Sequence, residues 1–131
     1  MRHDVHGLGE LERAVLDHLW SAGAGDAKDV HAAIGARRGI TLNTIQSTLK
    51  RLYEKALLRR SKVSHAHVYE PALTRDDFDR LALDHTIEHV LGKRPDAMLA
   101  AFVDLTERAG EEHLDTLAAL VAAKRRERGR G

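Results

Sequence analysis

The chain has 131 residues, a net charge of +1 and no cysteine, a length that holds one compact domain or a small domain with a helical appendage. The lack of cysteine excludes disulfides, thiolate metal sites and a cysteine nucleophile, and fits a reducing cytoplasm. No apolar run approaches the roughly 20 residues of a membrane span, and Met1 to His6 carries no signal-peptide pattern, so a cytoplasmic chain without membrane insertion is expected.

Residues 1 to 6 are expected as a loose arm. Leu8, Leu11, Val15 and Leu19 recur at helical spacing, with Leu16 and Trp20 widening the stripe, and predict a first helix from about Leu8 to Ser21. Gly23-Ala24-Gly25 ends it. A short second helix follows, with Asp26 as N-cap, Asp29 in its first turn and Gly35 as its C-cap. Thr41 is the N-cap of a third helix. With Ile45 set at zero and about 100° per residue, Leu49, Leu52, Tyr53 and Ala56 fall within roughly 80° and form the core face. Asn43, Gln46, Ser47, Lys50, Arg51 and Glu54 fall on the far side. Two short strands, Leu57 to Arg60 and His67 to Pro71, make a hairpin turning near Lys62 to His65.

From Thr74 the composition changes. Thr74 caps a fourth helix that runs to about Leu91, with Asp76 and Asp77 in its first turn. It carries two apolar faces: Phe78, Leu81 and Ala82 on one, Leu83, Ile87, Val90 and Leu91 on the other. A helix needing burial on two sides in so small a chain implies a partner. A fifth helix starts near Pro95 and carries Met98, Leu99, Phe102 and Leu105 to about Ala109. A sixth runs from Glu111 to about Lys124 with Leu114, Leu117, Ala118 and Val121 as its stripe, before a basic tail. The fold class read from this order is mainly α. Residues 1–73 form a winged helix, with a three-helix helix-turn-helix core and a two-stranded wing. Residues 74–131 form a three-helix dimerisation region, in which Phe78, Leu81, Ile87, Leu91, Leu99, Phe102, Leu114, Leu117 and Val121 are the candidate interface residues.

The charge is not spread evenly. Between Arg37 and Lys62 lie eight cations opposed by Glu54 alone, a local charge of +7 that leaves −6 for the rest of the chain. One basic segment in an otherwise acidic protein is the pattern of a local polyanion footprint. The far face of the third helix carries amides, a hydroxyl and cations, the groups that bind base edges and phosphates. The candidate DNA-binding residues are Thr41, Asn43, Thr44, Gln46, Ser47, Lys50, Arg51, Lys55, Arg60, Lys62 and His65. Gln46 can pair with adenine and Arg51 with guanine or phosphate. Lys50, Lys55, Arg59, Arg60 and Lys62 suit phosphate. Thr48 reads as a packing residue.

Catalysis finds no support. No serine stands in a Gly-x-Ser-x-Gly pattern, no phosphate-binding glycine loop occurs, and the histidines form no HExxH motif. His85 and His89, four apart on one helix face, can offer two imidazoles to a divalent metal, with Glu88 or His113 as further ligands. They share that face with Phe78, Leu81 and Ala82, so packing is the simpler reading and no cofactor is expected.

Several segments together resemble the BlaI/MecI/CopY family of winged-helix repressors: Leu8-Gly9-Glu10-Leu11-Glu12, Leu19-Trp20, Thr44-Ile45-Gln46-Ser47-Thr48-Leu49-Lys50-Arg51-Leu52-Tyr53-Glu54-Lys55, and Val68-Tyr69-Glu70-Pro71. A looser similarity extends to Leu99-Ala100-Ala101-Phe102-Val103. The resemblance implies a homodimer that binds inverted-repeat operators in double-stranded DNA and represses genes of β-lactam resistance or metal handling. In the β-lactam branch it also implies a sensor protease that cuts just before a Phe. Phe102 holds the similar place, preceded by Ala101 where the best-known members carry Asn, so Ala101 and Phe102 are the candidate cleavage residues. The thiolate copper sensing of another branch is excluded, since there is no cysteine. Two readings stand beside the operator-binding repressor: a metal-responsive repressor using His85 and His89, and a winged-helix adaptor that binds protein instead of DNA.

Overall fold

A computed structural model describes residues 3–92 and 94–130, with the side chains of Val90 and Leu91 outside the description. Among the described residues the order is α1 (Glu10–Ala22), α2 (Ala27–Val30), α3 (Leu42–Glu54), β1 (Leu58–Val63), β2 (Ala66–Pro71), α4 (Arg75–Leu91), α5 (Pro95–Ala109) and α6 (Glu111–Gly129). Two compact units divide at His85/Thr86, within α4.

In the first unit, α1 buries Val15, Leu16 and Leu19, the i, i+1 and i+4 positions of its apolar stripe. α3 sets Ile45, Leu49 and Leu52 against them, and Val30, Leu57, Leu58 and Tyr69 complete the cluster. Phe78 belongs to this core as well. It is only 2% exposed and meets Trp20 edge-on, with 5.3 Å between ring centroids. The sequence places Phe78 at a subunit interface; the structure assigns it to the first unit, because the start of α4 lies over α1.

α2 is capped as expected: the Asp26 side chain accepts from the Asp29 N–H, and the Asp29 side chain accepts from the Asp26 N–H. Gly35, however, is not its C-cap. The chain continues through a π turn (His31–Gly35) and a 3-10 turn (Ala36–Arg38), and the left-handed residue that ends the run is Gly39, at φ +68°. Thr41 caps α3 by accepting from the Thr44 N–H. At its other end Ala56 takes a left-handed φ of +61°, and the Leu57 N–H reaches back to the Leu52 carbonyl at 3.0 Å.

The wing is longer than the sequence suggests. β1 and β2 pair antiparallel from Leu58↔Pro71 to Val63↔Ala66, leaving Ser64 and His65 as the turn, with Ser64 left-handed at φ +59°. Gly25 adds a bridge to Tyr69, N–H to carbonyl in both directions at 3.0 and 2.8 Å. The base of the wing is thereby fixed to the loop ahead of α2. Residues 1 and 2 of the expected loose arm lie outside the described residues, but residues 3 to 5 are tied to the domain. Asp4 donates its N–H to the Lys55 carbonyl at 2.9 Å, His3 Nδ1 donates to the Ala56 carbonyl at 2.6 Å, and Val5 packs on the core.

In the second unit α5 and α6 lie together along a shallow apolar groove of about 450 Å³, lined by Val103, Leu114, Leu117, Ala118, Val121, Ala122 and Arg125. Neither helix has a buried residue. α6 runs to Gly129, past the expected end at Lys124 and through most of the basic tail. None of the described helices is long and apolar enough to cross a membrane.

Candidate nucleic-acid interface

Helix α3 holds its chemistry on the face away from the core. Ile45, Thr48, Leu49 and Leu52 are buried, while Asn43, Thr44, Gln46, Ser47, Lys50 and Arg51 are exposed. Thr48, between the two faces, is fully buried and donates its hydroxyl to the Thr44 carbonyl at 2.8 Å. Some polar groups on the outer face are partly engaged within the helix. Ser47 donates its hydroxyl to the Asn43 carbonyl at 3.0 Å, and the Thr41 and Thr44 hydroxyls lie 3.0 Å apart. Both retain acceptor lone pairs. Asn43, Gln46, Lys50 and Arg51 form no side-chain hydrogen bond or ion pair among the described ones, so the amide and cation donors of this face are open to solvent.

A cleft of about 800 Å³ separates α3 from the wing. Gln46 and Lys50 line one wall and Arg60, Val63, Ser64, His65, Ala66, His67 and Tyr69 the other, with Asp26, Ala27 and Lys28 closing the end. The structure therefore brings Gln46, Lys50, Arg60 and His65 together at one concave surface. Thr41, Asn43, Thr44, Ser47, Arg51 and Lys62 are exposed beyond its lining. Lys28 and His67 belong to this surface too. A lone Lys on a four-residue helix carries no periodic signal that would have pointed to Lys28; only the fold brings it to the cleft.

Lys55 departs from expectation. Its ammonium pairs with Glu12 of α1 at 2.9 Å, both side chains being at most a quarter exposed. It ties the end of α3 to α1 and is not part of the open cationic surface. In the wing, Arg59 pairs across the strands with Glu70 at 3.4 Å, in register with it. Arg60 instead lies over the Tyr53 ring, 3.9 Å from its centroid. Tyr53, placed on the core face by its helical angle, is 36% exposed, because at about 80° from Ile45 it sits on the border of the two faces.

Of the interface residues expected in the carboxy-terminal region, Leu81, Leu99, Phe102 and Val121 are exposed, and Ile87, Leu114 and Leu117 are half-buried. The Leu91 side chain lies outside the described residues. Ala101 and Phe102 are both exposed in the middle of α5. His85 meets the ring of His6, with centroids 4.5 Å apart, a neighbour the sequence did not suggest. No group of three or more His, Asp or Glu among the described residues is arranged to hold a metal ion.

The chain matches the penicillinase repressor family model over residues 8–123. It is 35% identical over 120 residues to the transcriptional regulator BlaI of Mycobacterium tuberculosis strains H37Rv and CDC 1551, covering 84% of this chain and 79% of each relative. The solution structure of the DNA-binding domain of a repressor BlaI is similar at a TM-score of 0.52 and 23% identity, over 57% of this chain and 92% of that one. That likeness shows the winged-helix fold. With both the family model and a relative spanning most of its length, the chain belongs to the penicillinase repressor family of transcriptional regulators.

Proposed function

We propose that this repressor acts as a homodimer on inverted-repeat operators, with α3 in the major groove and the wing against the adjacent backbone. The observation that carries the reading is the cleft itself. Gln46 and Lys50 of α3 face a cationic hairpin across an open channel, and Asn43, Thr44, Ser47 and Arg51 continue the exposed polar face beyond it; a helix of this kind fits the roughly 12 Å width of the major groove. In this reading Gln46 and Arg51 are the base readers, supported by Asn43, Thr44 and Ser47, and each good contact contributes about 1–3 kcal/mol of discrimination. Lys50, Arg60, Lys62 and His65 hold phosphates, and Thr41 sets the first turn of α3 against one more. α5 and α6 join the subunits in the cytoplasm, where the chain meets its DNA. Release by a sensor protease at Ala101–Phe102 would require α5 to open locally, since the bond lies mid-helix.

Genome-wide mapping of bound DNA, with Arg51→Ala as control, tests the reading. Sharp peaks on a shared inverted repeat, lost in the control, are the expected result. Absence of enrichment would favour a winged-helix adaptor. Salt dependence gives an independent measure. With roughly 6–10 phosphates neutralised per dimer, affinity should fall about 10³–10⁵-fold between 50 and 200 mM salt. A flat response would remove the 37–62 segment as the DNA face.

A further inference from the structure

We propose that Tyr53 is a positioning residue whose ring holds the Arg60 guanidinium at the cleft, so that the wing presents a preformed cation to a DNA phosphate. The inference rests on the operator-binding reading above. Gln46, Lys50 and Tyr53 stand at i, i+4 and i+7 of α3, one continuous stripe along the helix. Gln46 and Lys50 line the cleft, and the stripe carries Tyr53 to the last turn, where β1 passes. At 36% exposure Tyr53 contributes little to the core that Ile45, Leu49 and Leu52 fill. Its face is covered by Arg60, 3.9 Å from the ring centroid.

The two adjacent wing arginines are held in different ways. Arg59 is matched by the Glu70 carboxylate, which offsets its charge within the hairpin. Arg60 has no carboxylate among the described ion pairs; an aromatic face holds it. A ring orients a guanidinium without neutralising it. No hydrogen bond or ion pair among the described ones engages the Arg60 N–H groups, which leaves them for a two-point contact with phosphate oxygens. An unheld arginine would lose rotamer freedom on binding DNA, and stacking incurs that loss beforehand. The pair also links the reading helix to the wing, so Arg60 is registered against Gln46 and Lys50.

The test uses the full chain and the duplex that the wild type selects from a random-sequence library. Tyr53→Leu should weaken binding about 2- to 10-fold per subunit, the rotamer freedom that Arg60 would then lose on binding, and shift the salt slope toward that of Arg60→Ala. Tyr53→Phe should bind as the wild type does, since the ring and not the hydroxyl does the holding. In an Arg60→Ala background, Tyr53→Leu should cost little more. Independently of any variant, the Arg60 side-chain protons of the free wild type should show ring-current shifts in NMR spectra. Equal losses from Tyr53→Leu with and without Arg60, full binding by Tyr53→Leu, or unshifted Arg60 protons would each overturn the proposal. A wild type that selects no duplex at all removes the operator-binding reading, and this inference falls with it.

Discussion

Gly35 closes the π turn that follows α2 and packs between the His31 ring and Ile45. A glycine at the end of a short apolar stripe reads as a helix stop, yet its backbone is right-handed, at φ −88° and ψ −47°. What requires glycine is space. A Cβ there would lie 2.8 Å from His31 Cδ2 and 3.3 Å from Ile45 Cγ1. The His31 ring is not free to swing aside, because its Nε2 donates to the Ile40 carbonyl at 2.8 Å. Gly35→Ala gains about 0.5–1 kcal/mol of backbone entropy but forces overpacking that costs about 1–3 kcal/mol. The expected outcome is a net loss of stability, read as a lower urea midpoint at unchanged slope. An unchanged or higher midpoint would mean that the imidazole yields without losing its bond.

At the scale of elements, the end of α3 is fixed from two sides. Lys55 pairs with Glu12 of α1, and the carbonyls of Lys55 and Ala56 accept from the amino-terminal arm. Lys55→Met should therefore cost about 1 kcal/mol of stability, the upper end for a partly exposed pair, while leaving the salt slope of DNA binding near that of the wild type. Lys50→Ala should do the reverse, lowering the slope by about 0.9 per subunit with little change in stability. Equal loss of slope in both would return Lys55 to the phosphate-binding set. Composition groups these two lysines together; only the position of Glu12, far away in sequence, separates them. Much of the helix-turn-helix was nonetheless legible. Thr41 and Asp26 cap the helices they were expected to cap, and the outer face of α3 follows its helical angles. The hairpin was legible as a hairpin but not in its length or turn, because neither Ser64 nor His65 carries a turn signature and Ser64 adopts its left-handed backbone all the same.

Across the whole molecule, periodicity revealed which faces need burial but not what buries them. Phe78 and Leu81 lie three apart on one face of α4. Phe78 is in the core of the first unit, while Leu81 remains 38% exposed. The second unit leaves far more uncovered: Leu99, Phe102, Val103, Leu105, Leu120 and Val121 are each more than two-fifths exposed. It comprises only residues 86–131, close to the size of about 40 residues below which a domain needs outside support. With no cysteine in the chain and no buried residue in α5 or α6, a second copy is the economical source of that support, and closed two-fold pairing is the commonest arrangement. Charges placed in the α5–α6 groove should break it. The double variant Leu117→Asp, Val121→Asp is expected to sediment as a monomer. It should also lose the linked binding of two half-sites, a drop of about 10²–10⁴ in affinity for the full inverted repeat, with affinity for an isolated half-site retained because the first unit is untouched. A wild type that sediments as a monomer and binds full and half operators equally well would show that these helices serve something other than dimerisation.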